Sequence, residues 1–158
     1  MLDLILRHGT VIDGTGRAGF RADVAVASDR IAIVGDASQK ESRVSIDVSG
    51  KIVAPGFVDV HNHTDAWLLK TNHLAAKTMQ GFTSEVIMSD GISYAPVDER
   101  TLPEWIYYLR SLNGLLTEEY AGWQSIAEYM ACIDRRNVQN AIAQIPYANV
   151  RSIPCGFS

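Results

Sequence analysis

The chain changes rhythm at Ala54-Pro55-Gly56, and that change limits its possible folds more than any other feature. Upstream, Thr10-Val11-Ile12 runs into Asp13-Gly14, Asp23 to Ala27 into Ser28-Asp29, and Arg30 to Val34 into Gly35-Asp36. Period-two alternation broken by such turns predicts antiparallel hairpins. Met1 to Arg7 predicts a strand with Leu2, Leu4 and Leu6 on one face, and Arg43–Asp47 and Lys51–Ala54 predict two more strands. Residues 1–54 therefore read as a small β module.

Downstream of Pro55 the spacing alternates between strand and helix. A strand from about Phe57 through His63 leads to a helical stretch from about Ala66 to Gln80, with Gly81 at a natural C-cap position. A second strand follows at Thr83–Met88. Pro103–Leu116 and Glu118–Ile133 then place Trp105, Tyr108, Leu109 and Leu112, and later Trp123, Ile126, Ala127 and Met130, at helical spacing, the ordinary signature of helix packing. Asn137 to Ile145 ends in a third strand. Strand-helix-strand order predicts parallel βαβ units with right-handed crossovers. Residues 55–158 hold about three such units.

The end of the first of these strands carries the chemistry. His61 and His63 stand two apart in Phe57-Val58-Asp59-Val60-His61-Asn62-His63. On an extended backbone, positions i and i+2 share a face, so both imidazoles can address one ion. In parallel α/β folds, ligands and chemistry collect at the carboxyl ends of the strands. Asp59 falls on the same parity, where it either orients an imidazole from behind or serves as a buried hydrogen-bonded acid. Glu85 is a similar case. Asp65 is expected to cap the helix before Ala66, and Asp90 is read from its neighbour Gly91 as a turn residue. Ser93 and Tyr94 lie on the loop after the second strand, as substrate contacts or as ordinary loop polarity. His8 and His73 stand alone and read as satisfied surface or core residues rather than ligands.

Bulk properties narrow the partners. Hydrophobic residues make up 47% of the sequence, charged residues 20%, and the net charge is −4. No basic stripe appears, so nucleic acid is not an expected partner. No apolar run is long enough to span a bilayer, and the start shows no secretory hydrophobic core, so a cytoplasmic location is expected without membrane association. Cys132 and Cys155 lie in no metal-ligand spacing and suit a reducing compartment.

With Pro-Gly-Phe-x-Asp leading into His-x-His and a β module before it, the chain resembles the amidohydrolase superfamily. The block Gln80-Gly81-Phe82-Thr83-Ser84-Glu85-Val86-Ile87-Met88-Ser89-Asp90-Gly91-Ile92-Ser93-Tyr94-Ala95-Pro96 narrows the likeness to the N-acyl-D-amino-acid deacylase (D-aminoacylase) branch. Trp123-Gln124-Ser125, Glu128-Tyr129 and Asn149-Val150-Arg151 extend it through nearly the whole chain. The resemblance implies an α/β fold in which residues 1–54 are part of a β-sandwich and residues 55–158 begin a (β/α)8 TIM barrel. A closed barrel typically needs about 250 residues, so an incomplete barrel is expected.

The same resemblance implies one or two zinc ions, metal-activated water, and hydrolysis of a linear N-acyl-D-amino acid to a carboxylate and a D-amino acid. His61 and His63 match the first-strand ligands. Where the family carries a cysteine ligand after the second strand, this chain has Asp90, which becomes the third expected ligand; carboxylate is harder than thiolate and shifts metal preference. No histidine follows His73. Further ligands and the catalytic aspartate are therefore expected beyond residue 158, in a longer enzyme of which this chain is an N-terminal portion, inactive alone. A cyclic-amide hydrolase of the hydantoinase or dihydroorotase kind, and a catalytically inert fragment, are the alternative expectations.

Overall fold

The computed structural model describes residues 1–157. The chain divides into two compact units, with the boundary between Pro55 and Gly56, where the sequence changes rhythm.

The first unit is one five-stranded sheet. Its strands are β1 (Leu2–Val11), β2 (Phe20–Ala27), β3 (Arg30–Gly35), β4 (Ser42–Asp47) and the short β5 (Ile52–Val53). β2 pairs antiparallel with β1 and β3 with β2, as the turns predict. β4 and β5 instead lie parallel to β1. Alternation sets which residues share a face but carries no information on strand direction, so this part of the hairpin expectation is corrected. A sandwich needs a second sheet, and the described strands of this unit supply only one.

β1 is the expected strand, with Leu2, Leu4 and Leu6 at alternate positions. Ile5 is fully buried and forms a small core with Ala25 and Ala37, while Leu4 and Leu6 on the other face are only partly covered. The register slips between Leu6 and Gly9, where His8 takes a left-handed φ of 62°. Asp23 holds this bulge: its Oδ1 accepts the His8 N–H at 2.8 Å and its Oδ2 the Ala37 N–H at 3.2 Å. A carboxylate this enclosed is tolerated because both oxygens are used.

The second unit is a parallel three-stranded sheet, β6 (Phe57–Asp59), β7 (Phe82–Ile87) and β8 (Asn140–Ala143), in the order β6-β7-β8. Its helices are α1 (Asp65–Lys70), α2 (Ala75–Thr78), α3 (Leu102–Leu109), α4 (Ile126–Ile133) and α5 (Tyr147–Cys155). The single helix expected over 66–80 is two short ones, interrupted where Thr71 is extended. The helix expected over 118–133 is confined to α4 and opens on Ser125, whose hydroxyl accepts the Glu128 N–H while Glu128 accepts the Ser125 N–H. This capping box satisfies donors that the first turn otherwise leaves unpaired.

Ala66, Leu68, Ile87, Met88, Trp105, Leu109, Trp123 and Tyr129 form the core of this unit. Tyr108 and Leu112, expected in the same packing, are exposed. Several polar groups inside the core are paired with backbone or with another side chain. Asn149 accepts the Ser93 N–H at 2.8 Å and donates to the Ser93 carbonyl at 2.8 Å, and Trp105 Nε1 donates to Ser152 Oγ at 3.0 Å. These contacts join α5 to the segment that follows β7.

Two outcomes follow from this packing. A Cβ placed on Gly56 stands 2.1 Å from Thr83 Oγ1 and 2.6 Å from Thr83 Cβ, so Gly56→Ala forces β6 away from β7. A loss of about 1–3 kcal/mol is expected, the cost of overpacking, read as a lower urea midpoint at unchanged m-value. Burial raises the Tyr94 phenol to about 12, against a smaller opposing effect of the Leu115 N–H that it accepts. The unfolded chain ionises this group near 10, so the folded state binds the proton more tightly and stability falls as pH rises from about 10 towards 12. The slope for one group is about 1.4 kcal/mol per pH unit, and urea midpoints of wild type and Tyr94→Phe across that interval measure it.

Candidate metal centre

The parallel sheet brings the two predicted blocks to one edge. β6 ends at Asp59, so the strand stops short of the histidines, and the expectation that it runs through His63 is corrected. The i, i+2 geometry survives by a different route: His61 and His63 flank Asn62 in a tight turn before α1. Asn62 Oδ1 accepts the Thr64 N–H at 3.0 Å and its Nδ2 donates to the Val86 carbonyl at 3.1 Å. Asparagine bonding its own backbone two residues on is a turn-forming device, and here it also ties the turn to β7.

Asp90 arrives from the other strand. Beyond β7 the backbone enters a 3-10 turn over Ser89–Gly91. Met88 and Asp90 both adopt left-handed φ values, 64° and 57°. A left-handed conformation is unfavourable for side chains other than glycine, less so for aspartate, and such strain collects at functional sites. Asp90 Oδ2 lies 3.3 Å from His61 Nε2 and 3.1 Å from His63 Nε2. One ligand atom from each of the three residues falls within 4.8 Å of the others.

These separations fit a metal ion. Ligand bonds of about 2.0–2.2 Å arranged tetrahedrally put neighbouring donor atoms about 3.3–3.6 Å apart, near the observed 3.3 and 3.1 Å. The same distances suit hydrogen bonds from the neutral Nε2–H tautomer of each imidazole; in the other tautomer the two Nε2 lone pairs and Asp90 Oδ2 are all available to a cation. His61 and Asp90 are more than half exposed and the His63 side chain only 20%. Three protein donors with solvent access match the ligand count of catalytic zinc sites, which keep a fourth position for water or substrate.

The surroundings are partly buried and polar. Asp65 does not cap α1; that position belongs to Thr64. It is fully buried, and its Oδ1 accepts the Met88 N–H at 3.2 Å and the Ser93 hydroxyl at 2.5 Å. Burial pushes its carboxyl up, with the Ser93 and Met88 hydrogen bonds opposing. Asp65 Oδ2 and His63 Nδ1 are both buried without a hydrogen-bond partner among the described residues. Ser93 and Tyr94 are buried too. Ser93 bonds Asp65 and Asn149, and the Tyr94 hydroxyl accepts the Leu115 N–H.

Asp59 contacts neither imidazole. Its Oδ1 accepts the His61 backbone N–H at 3.3 Å, and its Oδ2 bonds Lys77 Nζ. Desolvation works to raise this carboxyl, but Lys77 and the His61 N–H outweigh it and hold it below its ordinary value. Glu85 is fully buried and takes the Thr64 hydroxyl at 2.5 Å, with Lys77 Nζ 3.4 Å away. Lys77 went unremarked in the sequence. The available signal was Glu85 itself, an acid at the centre of an apolar strand that needs a cation. Of the remaining histidines, His8 pairs with Asp47 at 3.3 Å within the first unit, and His73 lies 2.6 Å from Thr78 Oγ1.

The parallel sheet thus carries two histidines and a carboxylate at one edge that could hold a metal ion, and comparison with known proteins gives the group. No family model matches the chain. It is 46% identical over 151 residues to an N-acyl-D-glutamate deacylase of Alcaligenes xylosoxydans xylosoxydans, covering 95% of this chain and 30% of that protein. A solved D-aminoacylase with a binuclear metal centre matches at 37% identity and a TM-score of 0.81, over 96% of this chain and 31% of the other. The zinc and phosphonate complex of the N-acyl-D-glutamate deacylase from Bordetella bronchiseptica matches at 35% and 0.77, over 95% and 30%. The chain is thus homologous to the N-terminal portion of the D-aminoacylase branch of the amidohydrolases. It spans 20–30% of the length of the curated deacylases it matches.

The cluster yields a direct test. Zinc titrated calorimetrically into the chain is expected to bind at one stoichiometric class of site, and His63→Ala or Asp90→Ala is expected to weaken it at least tenfold. Equal binding by wild type and both variants removes these residues from the site.

Proposed function

We propose that this chain supplies the N-terminal part of a zinc-dependent deacylase that hydrolyses N-acyl-D-amino acids to a carboxylic acid and a D-amino acid. The observation that carries the reading is the meeting of His61, His63 and Asp90 at the ends of adjacent parallel strands. The relatives support the reaction class: those named for an activity on acylated amino acids act on D-glutamate and D-aspartate derivatives.

In this reading His61 and His63 present Nε2 and Asp90 presents Oδ2 to one or two divalent ions. Zinc held there lowers the pKa of a bound water to about 7 and polarises the amide carbonyl. The protein's own share is placement: Asn62 fixes the turn between the histidines, and the left-handed turn at Met88–Asp90 aims the carboxylate at them. Asp90 carries a negative charge to the ion without sulfur, a harder donor than the cysteine of the family pattern. The group that moves the proton to the leaving nitrogen, and the remaining ligands, come from sequence beyond these 158 residues. With them, β6, β7 and β8 become part of a closed (β/α)8 barrel, and the first unit's sheet becomes half of a β-sandwich. The chain by itself, with an incomplete ligand set, binds zinc weakly and does not turn over substrate.

The enzyme assay uses the full-length gene product with zinc and N-acetyl derivatives of D- and L-glutamate and D- and L-aspartate. Turnover of the D-series is expected, and His61→Ala/His63→Ala lowers kcat/KM by about a thousandfold or more, the several kcal/mol that Lewis-acid catalysis supplies. Hydrolysis of hydantoins or dihydroorotate with none of the acylated D-amino acids overturns the substrate assignment.

A further inference from the structure

The turn that carries the histidines is tied to one side chain outside it, directly through Asp59 and indirectly through Glu85. We infer that Lys77 is a positioning residue for this turn, setting the two imidazoles for metal; the inference rests on the metal reading above. Lys77 Nζ bonds Asp59 Oδ2 and lies 3.4 Å from Glu85 Oε2. Asp59 turns its other oxygen to the His61 N–H at 3.3 Å. Glu85, through the same oxygen that faces Lys77, accepts from the Thr64 hydroxyl at 2.5 Å. One ammonium is therefore linked to the residue two before the first histidine and to the residue immediately after the second.

Apolar packing does not explain where Lys77 sits. The helix that bears it, α2, has only four residues and buries none of them. What anchors Lys77 is charge, with the Phe82 ring 5.8 Å from the ammonium as an added cation–π contact. The lysine side chain is 17% exposed, that of Asp59 21% and that of Glu85 0%, so solvent screens the contacts little. Without the ammonium, two enclosed carboxylates face each other across the base of the turn. Their repulsion, and their search for water, act directly on the backbone at His61 and the hydroxyl at Thr64.

The test uses the full chain as Lys77→Met, Lys77→Arg and the pair Lys77→Met/Glu85→Gln, the last removing the most deeply buried unpaired charge where Lys77→Met alone does not fold. Co2+ and Zn2+ are titrated calorimetrically below the unfolding range, Co2+ binding is followed by visible absorption, and amide exchange at His61 and Val86 is measured by NMR. Loss of Lys77 is expected to weaken metal binding about 10–100-fold, the effect of removing groups that orient ligands. It also speeds exchange at His61 while Val86 keeps its protection, and Lys77→Arg restores most of the affinity. Variants that lose stability yet bind metal with wild-type affinity and the same Co2+ spectrum overturn the positioning role and leave the metal centre standing. A wild-type chain that binds neither ion, or binds it as well after His63→Ala, overturns both.

Discussion

The candidate site depends on β6 and β7 running in the same direction. Parallel pairing puts the carboxyl ends of both strands at one edge, so the residues that leave Asp59 and those that leave Ile87 enter the same space. An antiparallel pair sends them to opposite edges, and His61 cannot then meet Asp90. β6 offers only three residues to this pairing, which makes the close approach of Gly56 to Thr83 significant: a side chain at 56 would occupy the volume that the pairing needs. A short strand is held in place by what it lacks as much as by its hydrogen bonds.

Around that edge the structure uses charge where a small sheet cannot use apolar area. Glu85, Lys77 and Asp59 lie beneath the histidine turn, and Asp65 lies behind it. Ions in such places contribute little net stability compared with apolar residues of the same shape, whereas removing one partner costs about 3–5 kcal/mol. What they provide is a particular geometry, because hydrogen bonds to charged groups are directional and strong. Apolar side chains would fill the same volume without telling the backbone at His61 or Thr64 where to point. The left-handed turn at Met88 and Asp90 has the same character: conformational strain is accepted in exchange for the direction of one carboxylate.

Much of this was legible in the residues. The Pro55-Gly56 break, the parallel order of strand and helix, and the His61-x-His63 pair were read from turn chemistry and periodicity, which are local properties. Asp90 was singled out as a ligand only through resemblance, since Asp-Gly by itself reads as a turn, and the structure places it in a turn with its carboxylate beside both imidazoles. The direction of β4, the break between α1 and α2, and the burial of Ser93 and Tyr94 were not legible. Each depends on what packs against the segment. A polar pair on a loop is indistinguishable in sequence from one folded under a helix until Asn149, 56 residues away, takes both the N–H and the carbonyl of Ser93.

The sequence by itself determined the ingredients: two imidazoles two residues apart, an acid after the next strand, and a strand-helix order that predicts parallel strands. These follow from spacing and side-chain chemistry, which act over a few residues. Only the tertiary structure decided that Asp90 Oδ2 meets both Nε2 atoms, that Asp59 faces Lys77 and the His61 backbone rather than an imidazole, and that Asp65 is buried rather than a cap. The reason is physical. A charged or polar group takes whichever partner the fold brings within about 3 Å, and that partner can lie anywhere along the chain.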